Sequence, residues 1–256
     1  MRWTITILIL LAFQWYSFQG LKTVTANKWI WFVYILVIFL VIGNLLVHTL
    51  YLERSPTTEP RLMYAIGFFL AIFVFQTIIS LVLLTEDIFR VPQAIYNYLT
   101  KIPGEMKFIP TRRSFVSKIA LGLAAIPLTS LLYGMYKGKY NFKVLKYELE
   151  YDDLPEAFDG FTITQISDIH SGSFDNVEKV NYGIDLVNKQ QSDVILFTGD
   201  LVNNTSKEVL PWIPHFKKIN APNGVYSVLG NHDYGDYMRW DSPDEKLKNI
   251  KALYKA

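Results

Sequence analysis

No cysteine occurs in the 256 residues. That removes disulfides, thiolate metal ligands and cysteine nucleophiles, and it is compatible with any redox compartment. A strong charge of one sign is missing too. The formal net charge is +2, too small and too dispersed to favour nucleic acid as a partner. Internal repeats and low-complexity segments are also absent. What the chain does have is apolar surface: 51% of residues are hydrophobic, 15% are aromatic, and the mean hydropathy of +0.19 is high for a water-soluble globule. That average conceals a division, because nearly all long uncharged runs lie before residue 137 while charges and turn residues dominate after it.

Trp29–Leu52 and Leu62–Thr85 each run 24 residues without a charge. As helices each would reach about 36 Å, enough to cross a hydrocarbon core of about 30 Å with some tilt. Trp29, Trp31, Tyr51 and Tyr64 stand near their ends, where interfacial anchoring favours aromatics. Buried core helices are the competing reading, but globular helices rarely sustain such length without an ionisable group. Asn44, His48 and Gln76 within the runs read as partners in helix–helix hydrogen bonds or as interfacial residues. Trp3–Gln19 is a third, shorter run; with no small-x-small cleavage site behind it, it reads as a membrane helix and not as a signal peptide.

Ile119–Tyr136 is a fourth run of 18 uncharged residues, rich in Gly and Ala and containing Pro127. Thr111-Arg112-Arg113-Ser114-Phe115-Val116-Ser117-Lys118 precedes it. Paired arginines before a weakly apolar helix resemble a twin-arginine export signal, although such a pair is more often an ordinary positive flank. Glu86–Lys118 carries Arg90, Lys101, Lys107, Arg112, Arg113 and Lys118, which predicts a cytoplasmic segment and an outer-face location for everything after Tyr136. Lys137, Lys139, Lys143 and Lys146 stand against that orientation. The four spans are expected to hold no acidic or basic residue, which leaves a transporter or sensor without support. Residues 1–136 thus form a membrane domain, 137–144 a linker and 145–256 a second domain.

Leu145, Tyr147, Leu149 and Tyr151 alternate with Lys146, Glu148 and Glu150, predicting a half-buried strand. Phe161–Ser167, Asp193–Thr198 and Val225–Leu229 read as buried strands. Val177, Val180, Ile184 and Val187 recur at helical spacing, with Asp175 and Glu178 placed as a capping box. Strand, helix and strand at these separations predict α/β layering with parallel pairing.

Asp168-Ile169-His170, Gly199-Asp200 and Gly230-Asn231-His232-Asp233 stand where the predicted strands end. In open α/β sheets the carboxyl ends of neighbouring strands converge on one crevice, so two carboxylates, two imidazoles and an amide oxygen can meet. That donor set suits Mn, Fe, Zn or a similar divalent ion better than Ca, which prefers oxygen alone. Two such ions roughly 3.5–4 Å apart can share a carboxylate, activate a water and clamp a phosphoryl group.

In this order and spacing the three motifs resemble the calcineurin-like metallophosphoesterase superfamily. Leu154-Pro155, Phe158-Asp159-Gly160 and Ile166-Ser167-Asp168-Ile169-His170 behind membrane helices are similar to its transmembrane branch, which includes twin-arginine-exported phosphoesterases and UDP-2,3-diacylglucosamine hydrolases of lipid A biosynthesis. The resemblance covers about Leu145 to the end. It implies α-helical transmembrane segments followed by a layered α/β/β/α sandwich, in a multi-pass protein of the bacterial inner membrane. Two divalent ions are implied, with Asp168 and His170 holding the first, Asp200 bridging both and Asn231 binding the second. His232 would then donate a proton to the leaving group or stabilise phosphoryl charge, and Asp233 would orient it. The substrate would be a phosphorylated small molecule or a lipid-linked phosphoester, with the bilayer and the twin-arginine translocase as further partners.

The family also supplies histidines from a Gly-His and a later Gly-His-x-His motif, and no histidine follows His232. The expectation is a C-terminally truncated catalytic domain that is inactive alone. A non-catalytic membrane scaffold is the alternative. His215, between Pro214 and Phe216, is expected to be a surface histidine in a poorly structured stretch and not a substitute ligand.

Overall fold

A computed structural model describes residues 2–52, 60–100 and 110–255. The chain divides into one unit of residues 1–47 and 64–136 and another of residues 48–63 and 137–256.

The first unit is built on four helices: α1 (Arg2–Val24), α2 (Lys28–Leu52), α3 (Pro60–Thr100) and α4 (Pro110–Tyr136). Lys28–Thr49, Arg61–Thr100 and Arg112–Tyr136 are long and apolar enough to cross a membrane by length and composition, and α1 is 23 residues long. Asn27 starts α2 by accepting the Trp29 N–H on its side-chain oxygen (2.9 Å), the usual satisfaction of a free first-turn donor. Ile79 and Leu83 of α3 meet Ala120 and Ala124 of α4, with Tyr16 of α1 packed against them. Small residues set the spacing, because a Cβ at Gly20 would come within 2.9 Å of Leu83 Cδ1. Close approach of this kind replaces the hydrophobic driving force that lipid does not supply. Gln76 donates to the Tyr34 hydroxyl (3.3 Å), which in turn shares a hydrogen bond with Ser17 (3.0 Å), so its polar end is used between helices as expected.

The expected break after Thr85 does not occur. Helix α3 continues to Thr100 and carries Glu86, Asp87 and Arg90 along it, so the helices are not free of ionisable groups. Arg113 of α4 is 7% exposed and pairs with Glu86 (2.6 Å) and Asp87 (3.0 Å). Tyr16 donates to the same Asp87 (2.6 Å), and Arg90 lies 2.8 Å from it. Mutual neutralisation lets these charges stay on helices, where hydropathy alone predicts a loop. Of the six basic residues read as one cytoplasmic segment, Lys101 and Lys107 lie outside the described residues.

In the second unit, β1 (Ile163–Ile166), β2 (Val194–Phe197) and β3 (Val225–Ser227) form one parallel sheet in the order β1-β2-β3. Ile163 pairs with Val194, Ile166 with Phe197 and Leu196 with Tyr226. Helix α5 (Val177–Asn188) joins β1 to β2. The short α6 (Ile213–Phe216) precedes β3, and α7 (Pro243–Leu253) follows it. Val180 and Ile184 of α5 pack with Tyr140 and Trp212, while Val202 and Val209 pack with Leu253 of α7. Burial raises the Tyr140 hydroxyl above its ordinary value. That hydroxyl donates to the Asp175 carboxylate (2.7 Å) and accepts the Asp175 N–H (2.9 Å), tying the chain before β1 to the start of α5.

Two expectations fail locally. Residues 141–150 form no strand, and Leu145, Tyr147, Leu149 and Tyr151 are all exposed. Alternation fixes which face a residue would occupy, but a strand also needs a neighbouring edge for its N–H and C=O groups. None pairs with this segment among the described residues. The cap of α5 is Asn176, whose side chain accepts the Lys179 N–H (2.9 Å), not Asp175, which is held by Tyr140 and Lys139. The apolar spacing located the helix, and the competing tether on Asp175 moved its start by one residue.

Candidate metal centre

The loops leaving β1 and β2 keep exchanging hydrogen bonds beyond the sheet. The Asp168 N–H reaches the Gly199 carbonyl (3.0 Å), that of His170 reaches Asp200 (2.9 Å) and that of Ser171 reaches Leu201 (2.9 Å). This extended pairing requires an unusual backbone. Asp168 (φ 55°), His170 (φ 48°) and Asp200 (φ 61°) are three of the four non-glycine residues with positive φ among those described. Asp and His tolerate the left-handed region better than most residues, but each such position still costs on the order of 1–3 kcal/mol, and such strain clusters at functional sites. Gly199 (φ 104°) gives the chain the freedom to turn out of β2 against the backbone of Gly230.

These turns bring the side chains together. His170 Nε2 lies 3.8 Å from Asp168 Oδ1 and 3.9 Å from Asp200 Oδ2. The imidazoles of His170 and His232 stand edge to face with centroids 4.8 Å apart. One donor atom each from His170, Asp200 and His232 falls within 4.8 Å of the others. The histidine–carboxylate separations exceed hydrogen-bond length, yet they fit donors of one ion: ligands each about 2.1 Å from a metal lie roughly 3–4 Å apart. With nitrogen and oxygen donors together, the residues present fit a divalent ion of the Mn, Fe or Zn kind.

His232 is fixed at two points. Its N–H donates to Asp200 Oδ1 (2.9 Å), and its Nδ1 meets the Asn203 carbonyl (2.7 Å). A carbonyl only accepts, so Nδ1 carries the hydrogen and Nε2 is the end left for chemistry. Asn203 is itself held, because Glu208 accepts its N–H (2.6 Å) together with those of Asn204 (3.4 Å) and Thr205 (3.2 Å).

Asp233, expected to orient His232, is bonded to backbone instead. It is fully buried, and its carboxylate accepts the N–H groups of Asp200 (2.8 Å), Gly230 (2.9 Å), Leu201 (2.8 Å) and Val202 (3.2 Å). Adjacency in sequence suggested a pair, but the turn at Gly230 sends the two side chains to different partners. Asp233 therefore holds the backbone that carries Asp200, while the group bonded to the His232 ring is the Asn203 carbonyl. Asn231 is exposed, and its Nδ2 donates to the Tyr237 hydroxyl (2.8 Å). His215 is half-buried in α6 with Nδ1 on Asn181 Oδ1 (2.8 Å), and it lies outside the donor cluster. Sequence reading missed Asn203, Glu208 and Tyr237. Of these Glu208 had a signal, since Thr205-Ser206-Lys207-Glu208 fits the capping-box pattern, of which the structure forms the bond from the Thr205 N–H to Glu208.

A parallel α/β sheet whose carboxyl-end loops gather histidines and carboxylates defines an α/β domain with a candidate metal site. The family model described as "Probable Calcineurin-like phosphoesterase, transmembrane domain" matches residues 1–139, and that described as "Calcineurin-like phosphoesterase" matches residues 161–255. The chain belongs to the calcineurin-like phosphoesterases that carry an N-terminal transmembrane domain. Among its relatives is a Bacillus subtilis protein named "Uncharacterized metallophosphoesterase YkuE", 33% identical over 132 residues, or 50% of this chain and 46% of that one. The Danio rerio "Transmembrane protein with metallophosphoesterase domain" is 27% identical over 135 residues, covering 50% of this chain and 31% of its own. Chlamydia trachomatis "UDP-2,3-diacylglucosamine pyrophosphatase LpxG" is 35% identical over 108 residues, covering 40% and 32%. The chain spans less than half the length of the curated relatives it matches. No solved structure matches it.

Proposed function

We propose that residues 1–136 anchor in the bilayer a two-metal phosphoesterase site borne on residues 145–256, which hydrolyses a phosphoester or pyrophosphate bond. The observation that carries this reading is the convergence of His170, Asp200 and His232 donor atoms within 4.8 Å at the ends of parallel strands. Asp168 and His170 would hold one divalent ion, Asp200 both and Asn231 the second. When bound, such ions supply Lewis-acid charge and an activated water. His232 contributes the proton: with Nδ1–H on the Asn203 carbonyl, the doubly protonated ring carries its second proton on Nε2, which it gives to the leaving oxygen or shares with the phosphoryl group. Asp233 acts one step back, through the backbone of Asp200.

LpxG is named for pyrophosphatase action on UDP-2,3-diacylglucosamine, and its likeness to this chain supports a lipid-linked or envelope phosphoester as the substrate class. The basic residues Arg112, Arg113 and Lys118 at the start of α4 support placing that end in the cytoplasm of a bacterial cell and the site on the outer face of the inner membrane. The same arginines are weak support for a translocase partner, because the Arg113 guanidinium is enclosed by Glu86 and Asp87.

Exchange of single residues tests the assigned roles. In the full-length protein, Asp200→Asn is expected to abolish hydrolysis of a generic aryl phosphate together with at least one bound metal, because the change removes a shared carboxylate charge. His232→Asn is expected to lower turnover by about 10²–10⁴-fold while metal content stays near that of the parent. Elemental analysis beside the assay separates the two. If His232→Asn strips metal as fully as Asp200→Asn, His232 is a ligand and the proton-donor role is wrong. A full-length parent protein that neither binds metal nor hydrolyses the ester would instead be a membrane scaffold.

A further inference from the structure

We propose that Tyr237 is a positioning residue of this site, holding the Asn231 amide so that its oxygen is the end presented to an ion. The inference rests on Asn231 being a metal ligand. A primary amide has two similar ends, of which only the oxygen has lone pairs to give. An exposed Asn can exchange them by rotating about its last bond, and the rotated form offers an ion two N–H groups. Here Nδ2 donates to the Tyr237 hydroxyl at 2.8 Å, which occupies the nitrogen end and leaves Oδ1 unclaimed by that contact.

Tyr237 is itself built into place. The chain from His232 to Trp240 folds back through Gly235, which adopts φ 66°. The Gly235 N–H bonds to the His232 carbonyl (3.0 Å), while the Gly235 carbonyl accepts from Met238 N (3.3 Å) and Trp240 Nε1 (2.7 Å). A side chain at Gly235 would run into the Trp240 ring, with a Cβ only 2.7 Å from Cζ2. The Tyr237 ring then lies 4.7 Å from the His232 imidazole at 36°. One residue thereby touches both members of the Asn231-His232 pair, the amide through its hydroxyl and the imidazole through its face. The hydroxyl contact can be removed alone or together with the ring, since phenylalanine keeps the ring and leucine keeps neither.

The test uses the complete membrane protein in detergent, stripped of metal and supplied with Mn²⁺ alone, with free ion read by electron paramagnetic resonance. Tyr237→Phe is expected to weaken the weaker of two Mn²⁺ sites about tenfold, the low end of what outer-shell partners contribute, and to leave the tighter site and the melting temperature unchanged. At saturating Mn²⁺ its kcat should return to that of the parent. Tyr237→Leu should weaken the same site equally, and its kcat should stay depressed at saturating Mn²⁺ because the imidazole has lost its ring support. Mn²⁺ binding by Tyr237→Phe identical to the parent's would overturn the inference. Tighter binding would overturn it too, by showing that the hydroxyl held the amide the wrong way round. Asn231→Ala distinguishes this failure from that of the underlying reading: retention of both sites means that Asn231 is no ligand, whereas loss of one site beside an unaffected Tyr237→Phe condemns only the role given to Tyr237.

Discussion

In the helical unit, Arg113 is buried against two carboxylates, and Arg90 bonds to one of them, so two cations meet two anions. In the strand-containing unit, Asp233 is buried against four backbone N–H groups and meets no cation among the described residues. Both arrangements satisfy a charge taken out of water, but they leave different electrostatic states behind. The first is neutral and closed. The second sets a carboxylate against the backbone of Asp200, and neither Asp168 nor Asp200 has a Lys or Arg partner among the described residues. A loop assembled from uncompensated carboxylates and left-handed residues is suited to an incoming cation, whereas a neutral cluster between α3 and α4 is suited to holding helices together.

The largest effect is expected in the helical unit. Arg113→Ala would leave Glu86 and Asp87 partly buried without their main counter-charge, a change that typically costs about 3–5 kcal/mol. The melting temperature of the membrane-extracted protein should fall accordingly. Adding Glu86→Gln should restore most of the loss, because Asp87 then faces Arg90 alone and the cluster is neutral again. Absence of rescue would show that Arg113 contributes by packing and that the contrast between the units is false.

Asp233→Asn should have the next largest effect. Bonds to a charged acceptor contribute about 1.5–3 kcal/mol each, and the amide turns its NH₂ end toward donors, so about 3 kcal/mol of local stability is lost. Because these bonds fix the backbone of Asp200, the variant should also lose metal, as elemental analysis would reveal. An Asp233→Asn protein with parental stability and metal content but altered pH dependence of turnover would return Asp233 to the role of orienting His232.

Much of this was legible in the sequence, for definable reasons. The runs at Phe161–Ser167, Asp193–Thr198 and Val225–Leu229 give β1, β2 and β3, because short apolar stretches bounded by turn residues suit parallel strands, but of the three only β2 holds buried residues, β1 being partly exposed and β3 exposed. Asp168, His170, Asp200 and His232 were legible as a group since they follow those strands. What failed depended on partners that no local pattern encodes. The Leu145–Tyr151 alternation specifies a face without an edge to pair with. Arg113 reads as a flanking charge unless Glu86 and Asp87, 27 and 26 residues earlier, are known to lie beside it. The partners of Asp233 are backbone N–H groups, which every residue but proline possesses and which no sequence motif marks.

The smallest effect concerns a carboxylate that binds backbone in the open. Asp193 accepts from both the N–H (2.8 Å) and the hydroxyl (2.7 Å) of Thr162, joining the starts of β1 and β2. These bonds favour the ionised form and lower its carboxyl below the ordinary 3.8. A group depressed on folding stabilises the fold above its unfolded pKa and loses that contribution as pH falls through the folded value. Acid unfolding monitored between pH 5 and pH 2 should therefore be slightly less steep for Asp193→Asn than for the parent, with the two converging at the acid end, where both side chains are neutral. The difference at neutral pH should be small, because water competes for an exposed carboxylate. A large loss at neutral pH would mean that the bond to Thr162 sets the register of the sheet, and that even solvent-facing backbone contacts in this unit hold the loops of the metal site.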